Sequence, residues 1–322
     1  MANKIKKIGI LTSGGDGPGM NAAIRSVTRY ALHYGLEVAG IMRGYQGLLE
    51  EDIVPMNHRS VSNIINKGGT ILKTARSKEF STDEGKAMAA ENLRKHQIDA
   101  LVVIGGDGSY LGASRLYEMH GIPTIGLPGT IDNDLNGTDQ TIGCSTAINT
   151  ALESIDKIRD TAQSMERIFV VEVMGNKSGY IAMQVALAAG AEDVIIPEHS
   201  FDYKALHDEL IEGNRKGKIS WIIIVAEGAG KAQTVAENIT QEIGLETRYV
   251  VLGHVQRGGS PSGQDRILST RLGAAAVDLI LNGIYGKAVG MLQDEINVTD
   301  LKDATRRVHN MTQYYDLLKI LT

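Results

Sequence analysis

The chain has 322 residues, a net charge of −5 and a single cysteine, Cys144. That length suits two domains or one large one. The acidic balance argues against a general nucleic-acid binder, and one cysteine excludes an intrachain disulfide or a multi-cysteine metal site. The N-terminal lysines precede an apolar run that stops at a Gly-Gly turn, without the apolar core of a signal peptide. The most apolar stretch, residues 221–226, is far too short to span a bilayer. A cytoplasmic protein with no membrane or nucleic-acid partner is expected. Apolar residues make up 43% of the chain but include only one Trp and three Phe, so the core must rest on Ile, Val, Leu, Ala and Met. Such a core suits a parallel sheet covered by helices.

Along the chain one phrase repeats: a short apolar, β-rich run, then a glycine-rich or polar loop, then an amphipathic helix. Runs at 7–11, 101–104 and 124–127 lead into loops at 12–19, 105–109 and 128–137, each followed by a helix, the first from about 21 and the third over about 146–159. Runs at 168–173, 221–225 and 250–252 lead into loops at 174–179, 226–231 and 253–259, with helices near 181–189, after 231 and over about 264–282. Strands alternating with helices predict βαβ units and mainly parallel sheets. Ligands bind such folds at the carboxyl ends of the strands, where this chain places most of its glycines and many of its charges.

Three of these loops suit phosphate chemistry. In Thr12–Gly19 (TSGGDGPG), glycines let the backbone approach a phosphate and the next helix offers its N–H groups. It is not a P-loop, since no Gly-Lys-Ser/Thr follows; the ordinary alternative is a tight βα turn. In residues 105–109 (GGDGS), a carboxylate between glycines suits Mg²⁺ beside bound phosphates, because magnesium keeps much of its water and often takes one or two carboxylates; Asp-Gly is also a common turn pair. In residues 128–134 (PGTIDND), two carboxylates straddle an amide just after a hydroxyl, and an Asp near an alcohol can accept its proton during phosphoryl transfer. The alternative there is a solvated acidic turn or a helix cap.

The cations Arg76, Arg167, Arg248, His254 and Arg257 lie near strand edges; each alone reads as a surface charge, but together they suggest anion recognition by planar guanidinium forks. Glu227 ends a run and could accept sugar hydroxyls. Arg25 and Arg29 share one face of the first helix. That face is either a solvated stripe or a second anion site with Arg159, Lys216 and Lys218.

The strings ILTSGGDGPGMNAAIR, VVIGGDGSY, IGLPGTIDND, KIRDTA, VVEVMG and VLGHVQRGGSPSGQDRIL resemble the bacterial ATP-dependent 6-phosphofructokinase family over nearly the whole chain. PGTIDND and GHVQRGG are highly specific; GGDG is shared with other kinases. The resemblance implies an α/β fold of two Rossmann-like domains, each a mainly parallel sheet flanked by helices. It implies an ATP-binding domain at 1–143 plus 256–306 and a fructose 6-phosphate-binding domain at 144–255 plus 307–322. It implies Asp132 as the base, with Thr130, Arg76 and Asp134 assisting. Gly15, Arg76, Ser77, Gly106, Asp107, Gly108 and Ser109 would hold ATP, with Asp107 at Mg²⁺. Thr130, Asp132, Arg167, Met174, Gly175, Asn176, Glu227, Arg248, His254 and Arg257 would hold the sugar phosphate. Arg167 and Arg248 would come from a neighbouring subunit of a homotetramer. Arg25, Arg29, His58, Asn63, Arg159, Glu192, Lys216 and Lys218 match positions where the family binds ADP or phosphoenolpyruvate as effectors.

Relatives that use pyrophosphate carry Asp and Lys where this chain has Gly108 and Gly129, so the resemblance favours ATP as donor. Asn176 stands where the family has Arg, which predicts reduced but real activity. His58 replaces a common Arg and Asn63 a common Asp, which predicts weak, pH-sensitive regulation. The rival readings are a pyrophosphate-dependent enzyme and a sugar-phosphate-binding paralogue with weakened catalysis.

Overall fold

The computed structural model describes residues 5–305 and 309–322; the expected boundary at 306–307 lies outside them. The chain divides into two compact units, Met1–Thr146 with Arg257–Arg307, and Ala147–Gln256 with Val308–Thr322.

The first unit runs β1 (Lys7–Thr12), α1 (Met20–His33), β2 (Glu37–Ile41), α2 (Gly44–Leu49), β3 (Ile53–Met56), α3 (Asp83–Lys95), β4 (Ala100–Gly105), α4 (Asp107–His120) and β5 (Thr124–Pro128). It leaves through the first residues of α5 (Cys144–Met165). The second unit runs β6 (Ile168–Val173), α6 (Tyr180–Ala189), β7 (Asp193–Ile195), α7 (Tyr203–Arg215), β8 (Trp221–Ala226), α8 (Ala232–Ile243) and β9 (Thr247–Val251). The chain then returns to the first unit with α9 (Gly263–Leu281), β10 (Lys287–Leu292) and β11 (Glu295–Asp300), and ends in the second with α10 (Thr312–Leu321).

The first sheet has the order β11-β10-β5-β4-β1-β2-β3, parallel except for the β2–β3 and β10–β11 pairs at its two edges. The second has the order β7-β8-β6-β9 and is parallel throughout. The inner strands are short apolar runs buried on both faces: ALVVIG in β4 and WIIIVA in β8 are buried at every position. That pattern belongs to parallel strands with helices on either side. β2, β3, β7, β10 and β11 fall outside the predicted alternation. They are edge or near-edge strands, short or half exposed, so they lack a long apolar run. Arg248 lies inside β9 rather than before it. TRYVV is half-exposed along its length, and its polar start hides the strand.

Helix–helix contact in the first unit centres on α1 and α9. They approach closely because Gly273 faces Ser26, whose hydroxyl donates to the Thr270 carbonyl at 2.6 Å. The break between the units falls inside α5, after Thr146. Thr146 is tied to α9, since its N–H and hydroxyl both donate to the Asp265 carboxylate. Among the described residues no helix is long and apolar enough to cross a membrane.

Candidate functional site

β5, β4 and β1 are neighbours in the first sheet, so the three glycine loops emerge side by side, about 4.8 Å apart per strand. Their backbones interlock. Ser13 N–H donates to the Ile104 carbonyl at 2.9 Å, and Gly129 N–H donates to the Gly105 carbonyl at 3.0 Å. A Cβ on Gly105 would meet the Ser13 carbonyl at 2.6 Å; one on Gly129 would meet Ile104 Cγ2 at 2.8 Å and Gly105 N at 3.0 Å. A Cβ on Gly15 would strike the Arg257 guanidinium, which itself donates to the Asp16 carbonyl at 3.1 Å. Gly108 differs: a Cβ there would meet nothing within 4 Å. The loops thus form a close-packed backbone floor with open space above the first turn of α4.

Asp107 opens α4 and is exposed, with no bonded partner among the described residues. Such a carboxylate at the rim of an open space fits a magnesium ion that keeps its waters and bridges to phosphate oxygens. Among the described residues no cluster of three or more His, Cys, Asp or Glu could cage a metal, so the mode that fits is the single-carboxylate one.

The PGTIDND loop is pinned by its middle residue. Asn133 takes a left-handed conformation (φ 50°); its Oδ1 accepts Thr141 N–H at 2.8 Å and its Nδ2 donates to the Asp139 carbonyl at 3.0 Å. Asn tolerates that conformation better than most residues. Thr130 Oγ1 accepts the Asp132 N–H at 3.2 Å, which turns the chain so that Asp132 is buried and Asp134 half-buried. A Cβ on Gly106 would sit 3.5 Å from Thr130 Cβ, so the second and third loops touch.

Asp265 fastens this arrangement from below. Fully buried, it accepts Gly143 N–H at 2.8 Å, Thr146 N–H at 2.9 Å and the Ser262 hydroxyl at 3.3 Å, besides the Thr146 hydroxyl. Burial pushes its carboxyl up, while the Thr146, Gly143 and Ser262 donors pull it back only in part. Burial also lifts the Cys144 thiol well above its ordinary range, reinforced by the negative charge of Asp265, Asp132 and Asp134. Cys144 is therefore a buried neutral thiol rather than a nucleophile.

Arg76 is exposed and has no bonded partner among the described residues. Its segment is anchored next door: Ser77 Oγ accepts Phe80 N–H at 3.1 Å, and the Phe80 ring stacks on Tyr45 at 3.8 Å. The Tyr45 hydroxyl then donates to the Ser109 carbonyl at 2.7 Å, joining the segment to the GGDGS loop. Arg25 and Arg29 are half-buried on α1 rather than on a solvated stripe; burial, then the Arg29 charge, lowers the Arg25 pKa. The Arg29 Nε is buried without a hydrogen-bond partner among the described residues. His58 and Asn63 are exposed, and Asn63 is left-handed (φ 54°).

In the second unit Met174, Gly175 and Asn176 leave the carboxyl end of β6. Met174 N–H donates to Gln256 Oε1 at 2.8 Å; Gly175 and Asn176 N–H donate to Glu227 Oε1 at 3.2 and 2.8 Å. Glu227 Oε2 makes no bond among the described residues and is available to a ligand. Asn176 and His254 are exposed. Arg167 and Arg248 stand at the opposite, amino-terminal ends of β6 and β9, where both pair with Glu246 at 3.0 and 2.6 Å. Of the residues expected at an effector site, Arg159 donates to the Ala189 and Gly190 carbonyls that end α6. Glu192 accepts Ile222 N–H at 2.6 Å and pairs with Lys218 at 3.3 Å; Lys218 also lies 4.2 Å over the Trp221 ring. Lys216 pairs with Glu212 along α7 at 3.3 Å.

Asp265, Gln256, Asn133, Glu246 and the Tyr45–Phe80 stack were not singled out from the residues. Ser262-x-x-Asp265 ahead of a helix is a readable capping signal, and Ser262 Oγ does accept Asp265 N–H at 3.1 Å. Gln256 and Asn133 sit inside quoted motifs but act through distant backbone, which spacing does not reveal.

The sequence model of the phosphofructokinase family matches residues 7–280. A Thermus thermophilus protein named ATP-dependent 6-phosphofructokinase 1 is 54% identical over 305 residues, 94% of this chain and 95% of the relative. Among solved structures, phosphofructokinase from Saccharomyces cerevisiae superposes with a TM-score of 0.86 at 38% identity, covering 98% of this chain and 46% of the yeast chain. A pyrophosphate-dependent phosphofructokinase from Marinobacter aquaeolei gives 0.83 at 23% identity, covering 98% of this chain and 91% of that one, which is a likeness of fold alone.

Proposed function

The chain belongs to the phosphofructokinase family, and from that premise we infer that it acts as an ATP-dependent 6-phosphofructokinase of glycolysis. It moves the γ-phosphate of ATP to the C1 hydroxyl of fructose 6-phosphate, giving fructose 1,6-bisphosphate and ADP. The observation that carries this reading is the end of β5. Asp132 is buried beside Thr130, on a loop pinned by Asn133 and packed against the GGDGS loop.

In this reading the first unit holds the nucleotide on its backbone floor with Gly15, Ser77, Gly106, Gly108 and Ser109. The C1 oxygen bonds to the γ-phosphorus as the bond to the ADP oxygen breaks, and Asp132 takes the hydroxyl proton. In a loose transition state that proton leaves late, so a carboxylate is a sufficient base. Thr130 and Asp134 flank the reacting group, and Arg76, unpaired among the described residues, meets developing charge. Asp107 would hold Mg²⁺, which would supply the charge that neutralises the phosphate oxygens. Met174, Gly175, Asn176, Glu227, His254 and Arg257 hold the sugar phosphate.

Gly129 supports ATP as donor: the position has no room for a side chain without displacing Ile104 and the Gly105 backbone, whereas pyrophosphate users resemble one another in carrying Lys there.

β6 supports a site shared between subunits. Its six residues span about 20 Å at ~3.3 Å each. Arg167 at one end and Met174 at the other are too far apart to grip one sugar phosphate. Arg167 and Arg248 therefore serve a neighbouring copy, within a homotetramer. ADP or phosphoenolpyruvate at Arg25, Arg29, His58, Asn63, Arg159, Glu192, Lys216 and Lys218, and a cytoplasmic location, complete the reading.

A coupled assay of ADP release with fructose 6-phosphate tests it. ATP-dependent turnover that Asp132→Ser abolishes is expected; faster turnover with pyrophosphate, or none with either donor, would overturn it. Asn176→Arg is expected to raise turnover, by restoring a cation beside the reacting phosphates.

A further inference from the structure

Arg167 and Arg248 pose an electrostatic problem. Arg167 directly precedes β6 and Arg248 lies in the adjacent parallel strand β9, where Phe169 pairs with Arg248 in register. Two guanidiniums so placed repel each other and, left alone, would splay into solvent. One carboxylate prevents this. Glu246 Oε2 meets Arg167 Nη2 at 3.0 Å, and Glu246 Oε1 meets Arg248 Nη2 at 2.6 Å. Each oxygen takes one guanidinium, so a single side chain bridges both. The main chain sets the bridge in place: Glu246 directly precedes β9, and its carbonyl accepts Ile168 N–H at 3.4 Å. The residue is thus tied by backbone to the strand that follows Arg167.

We propose that Glu246 is a positioning residue for the sugar-phosphate site. It holds the two guanidiniums as one preassembled fork for a phosphate monoester; this rests on the reading that Arg167 and Arg248 bind that phosphate. Each guanidinium has five N–H donors in a fixed plane, and the Glu246 contacts use one terminal nitrogen of each. Arg167 Nη1 also lies 3.5 Å from Met165 Sδ, and the other N–H donors are left for a ligand. The bridge reduces the charge of the group from two to one, which offsets the repulsion between the arginines, and a phosphate dianion still meets a net positive fork. Pre-organising the donors lowers the ordering cost that the ligand would otherwise bear. Glu246 touches neither the transferred phosphate nor the reacting hydroxyl, so its loss acts on substrate affinity rather than on chemistry.

The experiment is steady-state kinetics of the full-length enzyme with Glu246→Gln, Glu246→Asp, Arg167→Ala and Arg248→Ala. Glutamine keeps the shape but turns an N–H₂ toward one arginine. Glu246→Gln is expected to raise KM for fructose 6-phosphate about tenfold, with kcat, KM for ATP and the thermal midpoint unchanged. Glu246→Asp, which keeps the charge and loses reach, is expected to fall between Gln and the parent. A merely structural role would move the thermal midpoint or both KM values. An unchanged or lowered KM for fructose 6-phosphate in Glu246→Gln, alongside arginine variants that raise it, sinks the positioning role while leaving the site reading intact. Arginine variants with unchanged KM for fructose 6-phosphate sink the reading of the site and the positioning role together.

Discussion

In the proposed reading the two units prepare for phosphate in different ways. In the first, the strand ends are closed by backbone against backbone: Gly105, Gly129 and Gly15 sit where no side chain fits, and N–H groups are held by the sheet itself. In the second, Arg167 and Arg248 are held by side-chain ion pairs to a half-exposed carboxylate. A backbone floor has few alternative arrangements and needs no reorganisation when charge develops. Exposed ion pairs are individually weak, screened by salt and readily exchanged. In the proposed reading the rigid part lies where bonds are made and broken, and the exchangeable part lies where Arg167 and Arg248 serve a neighbouring copy.

The largest expected effect separates chemistry from binding. Asp132→Asn removes the proposed proton acceptor but leaves the Asn133 pins in place, and kcat should fall by about 10²–10⁴ while KM for either substrate changes little. Rapid-quench turnover and equilibrium nucleotide binding measure the two halves.

The second unit also holds an ion pair to a buried carboxylate, a contrast with the Glu246 bridge. Lys319 on α10 meets Asp193 at 3.1 Å and Glu209 at 3.0 Å, with Asp193 almost fully buried. Burial pushes the Asp193 carboxyl up despite Lys319. Burial lowers the Lys319 pKa, but attraction and hydrogen bonding to Asp193 and Glu209 outweigh it and the net shift is upward. A lysine pKa raised by folding contributes stability that is complete below the unfolded value and is lost as pH rises through the folded one. The α10 anchor should therefore hold at neutral pH and weaken only above about 10.5. Lys319→Met should cost about 3 kcal/mol, because it strands a buried carboxylate, and should remove that alkaline loss. Hydrogen exchange of α10 across pH reads both.

A smaller effect sharpens the contrast between two glycines of the floor. Gly129→Ala pushes a methyl into Ile104 and the Gly105 backbone and should cost about 1–3 kcal/mol, with a raised KM for ATP. Gly108→Ala meets open space on a helix and should stabilise by about 0.5–1 kcal/mol, though its methyl enters the proposed nucleotide site. Thermal midpoints of the two variants should move in opposite directions.

The smallest effect is ionic. Raising salt from about 0.05 to 0.5 M should raise KM for fructose 6-phosphate a few-fold, because exposed guanidiniums are screened. Removing Arg167 should flatten that dependence.

Much of this was readable in the chain. The alternation of apolar runs and helices announced parallel α/β architecture, and β6 runs over 168–173 as predicted. The glycine loops and PGTIDND located the strand ends that matter, because glycine and paired carboxylates carry local meaning. Less readable was everything that depends on what a side chain meets far away. β2 (EVAGI) and β7 (DVI) are too short or too rich in small residues to stand out. Arg25 and Arg29 share a helix face, but whether that face is wet depends on what packs around α1. Glu227 looked like a hydroxyl acceptor and also holds the Gly175 and Asn176 backbone.

The sequence by itself determined the strand–loop–helix grammar, the family and the chemical character of each loop, since these follow from residue type and short-range spacing. Only the tertiary structure decided that β5, β4 and β1 lie side by side, that Asp265 gathers four donors from three residues, and that Arg167 and Arg248 share one carboxylate at the far end of their strands. The physical reason is the same in each case. Strand order and the partners of a buried or bridging charge are set by packing between residues distant in the chain, and no local pattern encodes that meeting.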